Sequence, residues 1–255
     1  MIVGMKSSRS LIAVFVFFVN AFLFAQQRPS GPSQVPFVGC SSDGQVGPLK
    51  APVGSTKTAP VSAGVGARLA YYKAENGFGI LGPRGWHCFS TYGSNGSTLY
   101  VSPEPIDSAK LFSKDWKGFI GQAIQVSVAL GDTSGRFEVA RTIARVFPDR
   151  KAFVRDVIAE EIEPSGSFSF GPYPKDRLTY RSKNVVEFET PAGTAGLGTN
   201  SRLRSNSSPI IGVAILFGDE PNLLKVELRF QRESDDLVSP ILAQIEREAA
   251  NSETQ

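Results

Sequence analysis

The residues able to do chemistry in this chain are few, and their settings narrow what each can do. His87 is the one histidine and precedes Cys88 in the segment Trp86-His87-Cys88. A thiolate and its base must lie within hydrogen-bond reach, whereas neighbours on a strand point to opposite faces. The pair therefore reads as a histidine beside a disulfide. A single histidine excludes His-rich metal sites, and no G-x-S-x-G elbow, S-x-x-K pair, H-E-x-x-H or P-loop occurs. Glu187 and Glu189 share one face of a strand, roughly 7 Å apart by strand rise. That spacing is near the carboxylate separation of inverting glycoside hydrolases; the competing reading is a solvated pair facing Lys225 and Arg229 across strands. Glu104, Asp107 and Asp115 lie in a Pro-bounded connection without the Asp/Asn-Gly-Glu spacing of a calcium loop.

The segment Pro191 to Pro209 (PAGTAGLGTNSRLRSNSSP) is long for a connection between two strong strands. Gly196 and Gly198 permit close backbone approach, and Arg202 and Arg204 supply donors for a carboxylate or phosphate. The segment is read either as a flexible surface loop or as the contact for a ligand or partner. Trp86, Tyr92, Tyr100 and Trp116 have the ring types of a carbohydrate-stacking face, although aromatics in hairpins are more often buried. Asn95-Gly96-Ser97 and Asn206-Ser207-Ser208 match glycosylation acceptors, relevant only in a eukaryotic host. No cofactor or metal set emerges.

The first residues give an address. Lys6 and Arg9 form a short cationic region, Leu11 to Phe24 an apolar run broken only by Asn20, and Ala25 the small residue where cleavage falls. This is the order of a secretory signal, with Met5-Lys6 as a natural start. The run is short of the ~20 residues that cross a bilayer as a helix, so no stable membrane span is expected after cleavage. The location follows: periplasmic or secreted. There an even cysteine count favours one disulfide, Cys40 to Cys88, over free thiols or a lipid on Cys40.

Charge excludes another class. The chain has 27 Lys plus Arg and 24 Asp plus Glu, and removing Lys6 and Arg9 with the signal leaves about one net positive charge. Basic residues are scattered apart from Arg202 and Arg204, so nucleic acid is not expected as a partner. An unknown envelope protein or a small ligand is.

These residues must be held by a fold whose periodicity is readable. After the signal at 1–25, residues 26–66 are rich in Gly, Pro, Ser, Thr and Ala and read as a partly disordered leader. A single domain follows over 67–250, then a polar tail at 251–255. Strands are predicted at 68–74 and 78–81 around Asn76-Gly77, a hairpin cue for a type I′ turn. Further strands are predicted at 86–92, 98–102, 123–130, 178–182, 185–190, 210–217 and 223–230. In the last, Leu224, Val226, Leu228 and Phe230 form the dry face and Lys225, Glu227 and Arg229 the wet one. Helices are predicted at 137–147, at 150–162 with Asp149 as cap and Phe153, Val157, Ile158 and Ile162 buried, and at 235–250. The fold class is α+β, a mostly antiparallel sheet packed against two central helices and a C-terminal helix.

The run Asn76 to Trp86 (NGFGILGPRGW) resembles the GFxIxxPxGW opening hairpin of exported α+β domains of the PsbP and Mog1 group. That resemblance implies an antiparallel sheet against helices and an assembly or binding role. It transfers no functional residue, because the shared positions are turn and packing residues. The sequence thus points to an exported ligand- or partner-binding protein of the cell envelope; the alternative is a carboxylate-dependent hydrolase acting on an envelope polysaccharide or peptidoglycan.

Overall fold

The computed structural model describes Met1 and residues 32–252. The signal and its cleavage point lie outside the described residues, as does the tail from 253. Four short strands, β1 (Ser33–Val35), β2 (Phe37–Gly39), β3 (Ser42–Gly44) and β4 (Lys57–Ala59), and a one-turn helix α1 (Ala63–Gly66) lead into β5 (Leu69–Lys73) and β6 (Ile80–Pro83). Within the leader, four short segments are paired: β2 runs parallel to β5, β1 antiparallel to β4 and β3 parallel to β7. Composition misses these strands because their partners are distant and supply the pattern that three-residue segments lack.

Then follow β7 (His87–Gly93), β8 (Gly96–Ser102), a one-turn helix α2 (Ser108–Leu111), β9 (Ala123–Ala129), α3 (Arg136–Val146), α4 (Lys151–Ala159), β10 (Arg177–Ser182), β11 (Val185–Thr190), β12 (Ile210–Phe217), β13 (Asn222–Arg229) and α5 (Val238–Ser252). The main sheet has eight strands in the order β10-β11-β12-β13-β9-β8-β7-β3. It is mixed: β3 joins β7 in parallel, and the other pairs are antiparallel. α5 extends through Asn251 and Ser252, so the polar tail starts later than its composition suggests. In α4 only Val154 and Val157 are fully buried, and Ile162 lies exposed beyond the helix end at Ala159. A short 3-10 turn over Pro148–Arg150 leads into α4 without a side-chain cap from Asp149.

The Asn76-Gly77 hairpin also departs from expectation. Tyr72 pairs with Ile80, leaving seven residues between them, and only Gly77 there has positive φ. A type I′ turn needs two such residues.

The two sheet faces carry different cargo. On one, Leu99, Val101, Ile124, Val126, Val213, Ile215, Leu224, Val226 and Leu228 pack beneath α5 and the small β2-β5-β6 sheet. On the other, one apolar cluster gathers around α3 and α4 with Val186, Phe188 and Ala214. A second gathers around Tyr100, Phe119, Leu203 and Ile210. β13 is buried on both faces, so the side predicted to be wet is not: Lys225 is 3% exposed, Glu227 0% and Arg229 2%. Alternation marks a change of face, and here the polar face is covered.

Cys40 and Cys88 form the expected disulfide, with Cα atoms 5.3 Å apart. Between β2 and β3 the chain passes from the small sheet to the large one, and Cys40 stands at that passage, its N–H donating to Lys73 O at 2.8 Å. The bridge to β7 thus ties the two sheets together. Among the described residues no helix is long and apolar enough to cross a membrane. The bridge closes 48 residues of sequence separation, so replacing both cysteines by alanine should cost about 4 kcal/mol of unfolding free energy, read as a lowered urea midpoint. Two alkylatable thiols in the native, unreduced protein would contradict the bridge itself.

Candidate functional site

The buried row on β13 builds the site. Residues two apart on a strand share a face, so Lys225, Glu227 and Arg229 stand in line, opposite Ser127, Gln125 and Ala123 of β9. Across β8 the same face continues with Thr98 and Tyr100, and across β7 with Thr91 and Phe89. A polar stripe therefore runs between the two apolar clusters. Where α3 overhangs it, a cleft of about 430 Å³ opens. Its walls include Thr91, Asn95, Thr98, Gln125 and Ser127 from the sheet side, Glu138 and Arg141 from α3, and Glu163, Asn200 and Lys225.

The charges in this cleft satisfy one another. Lys225 Nζ donates to Glu138 Oε1 at 3.1 Å and to Asn200 O at 3.0 Å, and lies 3.2 Å from Glu227 Oε1. Arg141 reaches Glu138 at 3.3 Å and Glu163 at 2.7 Å. Burial works against the Lys225 charge, but Glu227 and Glu138 outweigh it and hold the ammonium above its ordinary pKa. Burial likewise opposes ionisation of Glu138, and Lys225 and Arg141 overcome it, holding that carboxyl below the usual range. For Glu227 burial wins: its pKa is pushed up to about 7, with Lys225 opposing and Glu138 adding to the rise. Both Glu227 oxygens are buried without a hydrogen-bond donor among the described residues.

This arrangement limits the chemistry. An amine acts as nucleophile or base when its pKa is depressed, and Lys225 is held the other way. Besides these paired charges, the cleft presents the hydroxyls of Thr91, Thr98 and Ser127 and the amides of Asn95 and Asn200. Thr91 and Thr98 also reach the Tyr100 hydroxyl, whose pKa burial raises. Ser127 accepts from Gln125 Nε2 at 2.9 Å, and Gln125 Oε1 accepts from Arg202 N at 2.8 Å.

The long loop expected to hold a ligand divides. Gly196 and Gly198 are buried and serve packing: a Cβ on Gly196 would stand 2.0 Å from Asp176 Oδ1, and one on Gly198 2.7 Å from Ile210 Cγ2. Asp176 accepts from Thr190 Oγ1 and from Leu197 N, both at 2.7 Å, and so stitches the loop down. Arg202 and Arg204 are exposed on the other side, with Lys114, Lys117 and Trp116. The segment is thus a pinned loop whose arginines, but not its glycines, face outward.

Glu187 and Glu189 do not meet Lys225 and Arg229. Register places them opposite Val213 and Ile211, on the α5 face. Arg181 takes Glu187 at 2.9 and 3.0 Å, and Arg177 takes Glu189 at 2.8 Å. Glu187 instead neighbours Glu246 of α5, whose pKa is raised by burial and then by Glu187. His87 is exposed at the start of β7. Asp107 caps α2 by accepting from Lys110 N at 2.8 Å, and Glu104 pairs with Lys110 at 3.2 Å. Among the described residues no group of three His, Cys, Asp or Glu side chains is placed to hold a metal. The four aromatics form no common face: Trp86 packs edge-on against Phe230 and Tyr92 donates to Gly47 O at 2.6 Å, while Tyr100 and Trp116 both pack on Phe119. No protein-family model, curated protein or solved structure matches the chain.

The network generates two expectations. Lys225→Met leaves the buried Glu227 without its cation, and Glu138 with Arg141 alone, and should cost about 3–5 kcal/mol, whereas Lys225→Met with Glu227→Leu should recover most of that loss; chemical denaturation of the two variants decides. The second concerns pH. Glu227 has a folded pKa above its unfolded value, so it favours the fold below about pH 4.5 and loses that contribution as pH rises to about 7. Glu138, displaced downward, matters only below that window, and Glu246, displaced upward, is common to wild type and variant. Glu227→Gln should therefore remove a stability loss on the order of 3 kcal/mol between those pH values, visible as a flatter profile of Tm against pH.

Proposed function

We propose that this protein is an exported, non-enzymatic binding protein of the cell envelope, and that the cleft beside α3 takes a small, neutral, hydroxyl-rich ligand of saccharide size. The observation that carries this reading is the internal neutralisation of the cleft. Lys225, Glu138, Arg141 and Glu163 spend their charge on one another, so a charged ligand would have to break a network that is already paired. Hydroxyl and amide groups remain for recognition, as in a site that fixes orientation with a few polar contacts. The volume of about 430 Å³ suits such a molecule.

Export rests on the residues before 26 and on the disulfide, a bond that persists in oxidising compartments. A place beside the PsbP and Mog1 group is part of the same proposal. Its support is the hairpin of β5 and β6 leading to Trp86, with Gly77 and Gly85 at positive φ where the motif has glycine. The hydrolase alternative draws less support, since Glu187 and Glu189 are each held by an arginine.

Calorimetric titration with neutral oligosaccharides and peptidoglycan fragments tests the ligand reading. Thr98→Val with Ser127→Ala should weaken binding at least about tenfold, the loss of two ligand hydrogen bonds; the same change removes the acceptor of Gln125 Nε2 and should lower Tm, so binding is compared at a temperature where both proteins are folded. Absence of binding across the panel, or equal binding by the double variant, would remove the cleft from consideration. Release of cleaved product during the titration would make the protein an enzyme.

A further inference from the structure

At the other end of the same sheet face, two loops join into a cationic platform. Phe119 and Leu203 form a parallel bridge; Phe119 N donates to Arg202 O at 2.7 Å and Arg204 N to Phe119 O at 2.9 Å. Beneath them the buried Arg229 guanidinium donates to the carbonyls of Phe119 at 2.8 Å and Gly121 at 2.6 and 3.0 Å, and also to Arg204 O. The loops are therefore fixed before anything binds. Lys114, Lys117, Arg202 and Arg204 line a cleft of about 520 Å³ with Leu111, Phe112 and Trp116, and no carboxylate lines it. Residues 112–121 and 200–206 contain a single acid, Asp115. Among the described residues none of the four cations has an ion-pair partner. Beside them Phe112 is 62% exposed and Ile120 63%.

We propose that this platform docks the protein onto an anionic bilayer surface, with Lys114, Lys117, Arg202 and Arg204 on lipid phosphates and Phe112 and Ile120 in the acyl boundary. Four cations match phosphate headgroups in charge. The exposed apolar pair distinguishes a bilayer from a soluble polyanion, because only a bilayer offers a place to bury it. Arg202 lies over the Trp116 ring, 5.8 Å from its centroid, and also reaches the Tyr100 hydroxyl, so that this cation stands on a packed aromatic base. The platform does not depend on the α3 cleft or its ligand.

Flotation of the purified, disulfide-bonded protein with vesicles tests this. It should bind vesicles of phosphatidylcholine with about 30 mol% phosphatidylglycerol and bind pure phosphatidylcholine far less. Salt should weaken the binding between about 50 and 500 mM. At roughly fivefold per cation, Lys114→Gln with Lys117→Gln and Arg204→Gln should lose about 100-fold. Phe112→Ser with Ile120→Ser should weaken it further at every salt concentration. All variants keep the same N-terminal segment, so it cancels in the comparison, and each is checked by Tm for intact folding. Equal binding by the charge variant overturns the proposal, as does absence of binding by the wild type at low salt. Capture by a soluble polyphosphate with an affinity indifferent to Phe112 and Ile120 assigns the platform to a polyanion instead and equally overturns it.

Discussion

Burial of a cation–carboxylate–cation row on a central strand is the constraint from which the rest of this structure follows. Taking Lys225, Glu227 and Arg229 out of water costs several kcal/mol per ion unless each finds compensation. The fold meets that cost with different partners along the row. Lys225 is met by Glu138 of α3 and by a loop carbonyl, which fixes the helix over the sheet. Arg229 is met by backbone carbonyls alone, which fixes two loops that have little secondary structure of their own. Glu227 between them is left with a Coulombic partner and no hydrogen bond. Uniform apolar packing would stabilise such a sheet at least as well; the polar row fixes which helix and which loops cover it.

Much of the frame was legible because period and length agree. β12 is apolar along eight residues and lies between β11 and β13. α3 and α5 show their apolar spacing in sequence and are found within a few residues of where that spacing places them. The cysteine pairing followed from count and compartment. The segments that were not legible owe their form to distant partners. β1 to β4 are three residues each and take their geometry from strands 22 to 48 positions away. The Asn76-Gly77 turn gives way to a longer connection because Tyr72 pairs with Ile80.

The site was the least legible part. Lys225, Glu227 and Arg229 alternate with leucine and valine as the residues of a half-exposed strand do, and nothing local says that α3 and two loops lie over them. One signal was available: a neighbouring apolar strand, β12, implies covered faces on both sides, and β13 follows it after a short turn. The glycines of the 191–209 segment were assigned to ligand approach when packing against Asp176, Thr190 and Ile210 uses them. Arg202 and Arg204, donors suited to a carboxylate or phosphate, are exposed.

The parallel pairing of β2 with β5 and of β3 with β7 fixes an order of events. Residues 37–44 emerge first during synthesis, yet the strands they join end at Lys73 and Gly93. Until those have followed, the first strands have no edge to lie against and Cys40 has no thiol within reach. The beginning of the domain thus waits for residues 69–93 before its strands have a place, and the bridge to Cys88 closes no earlier than that.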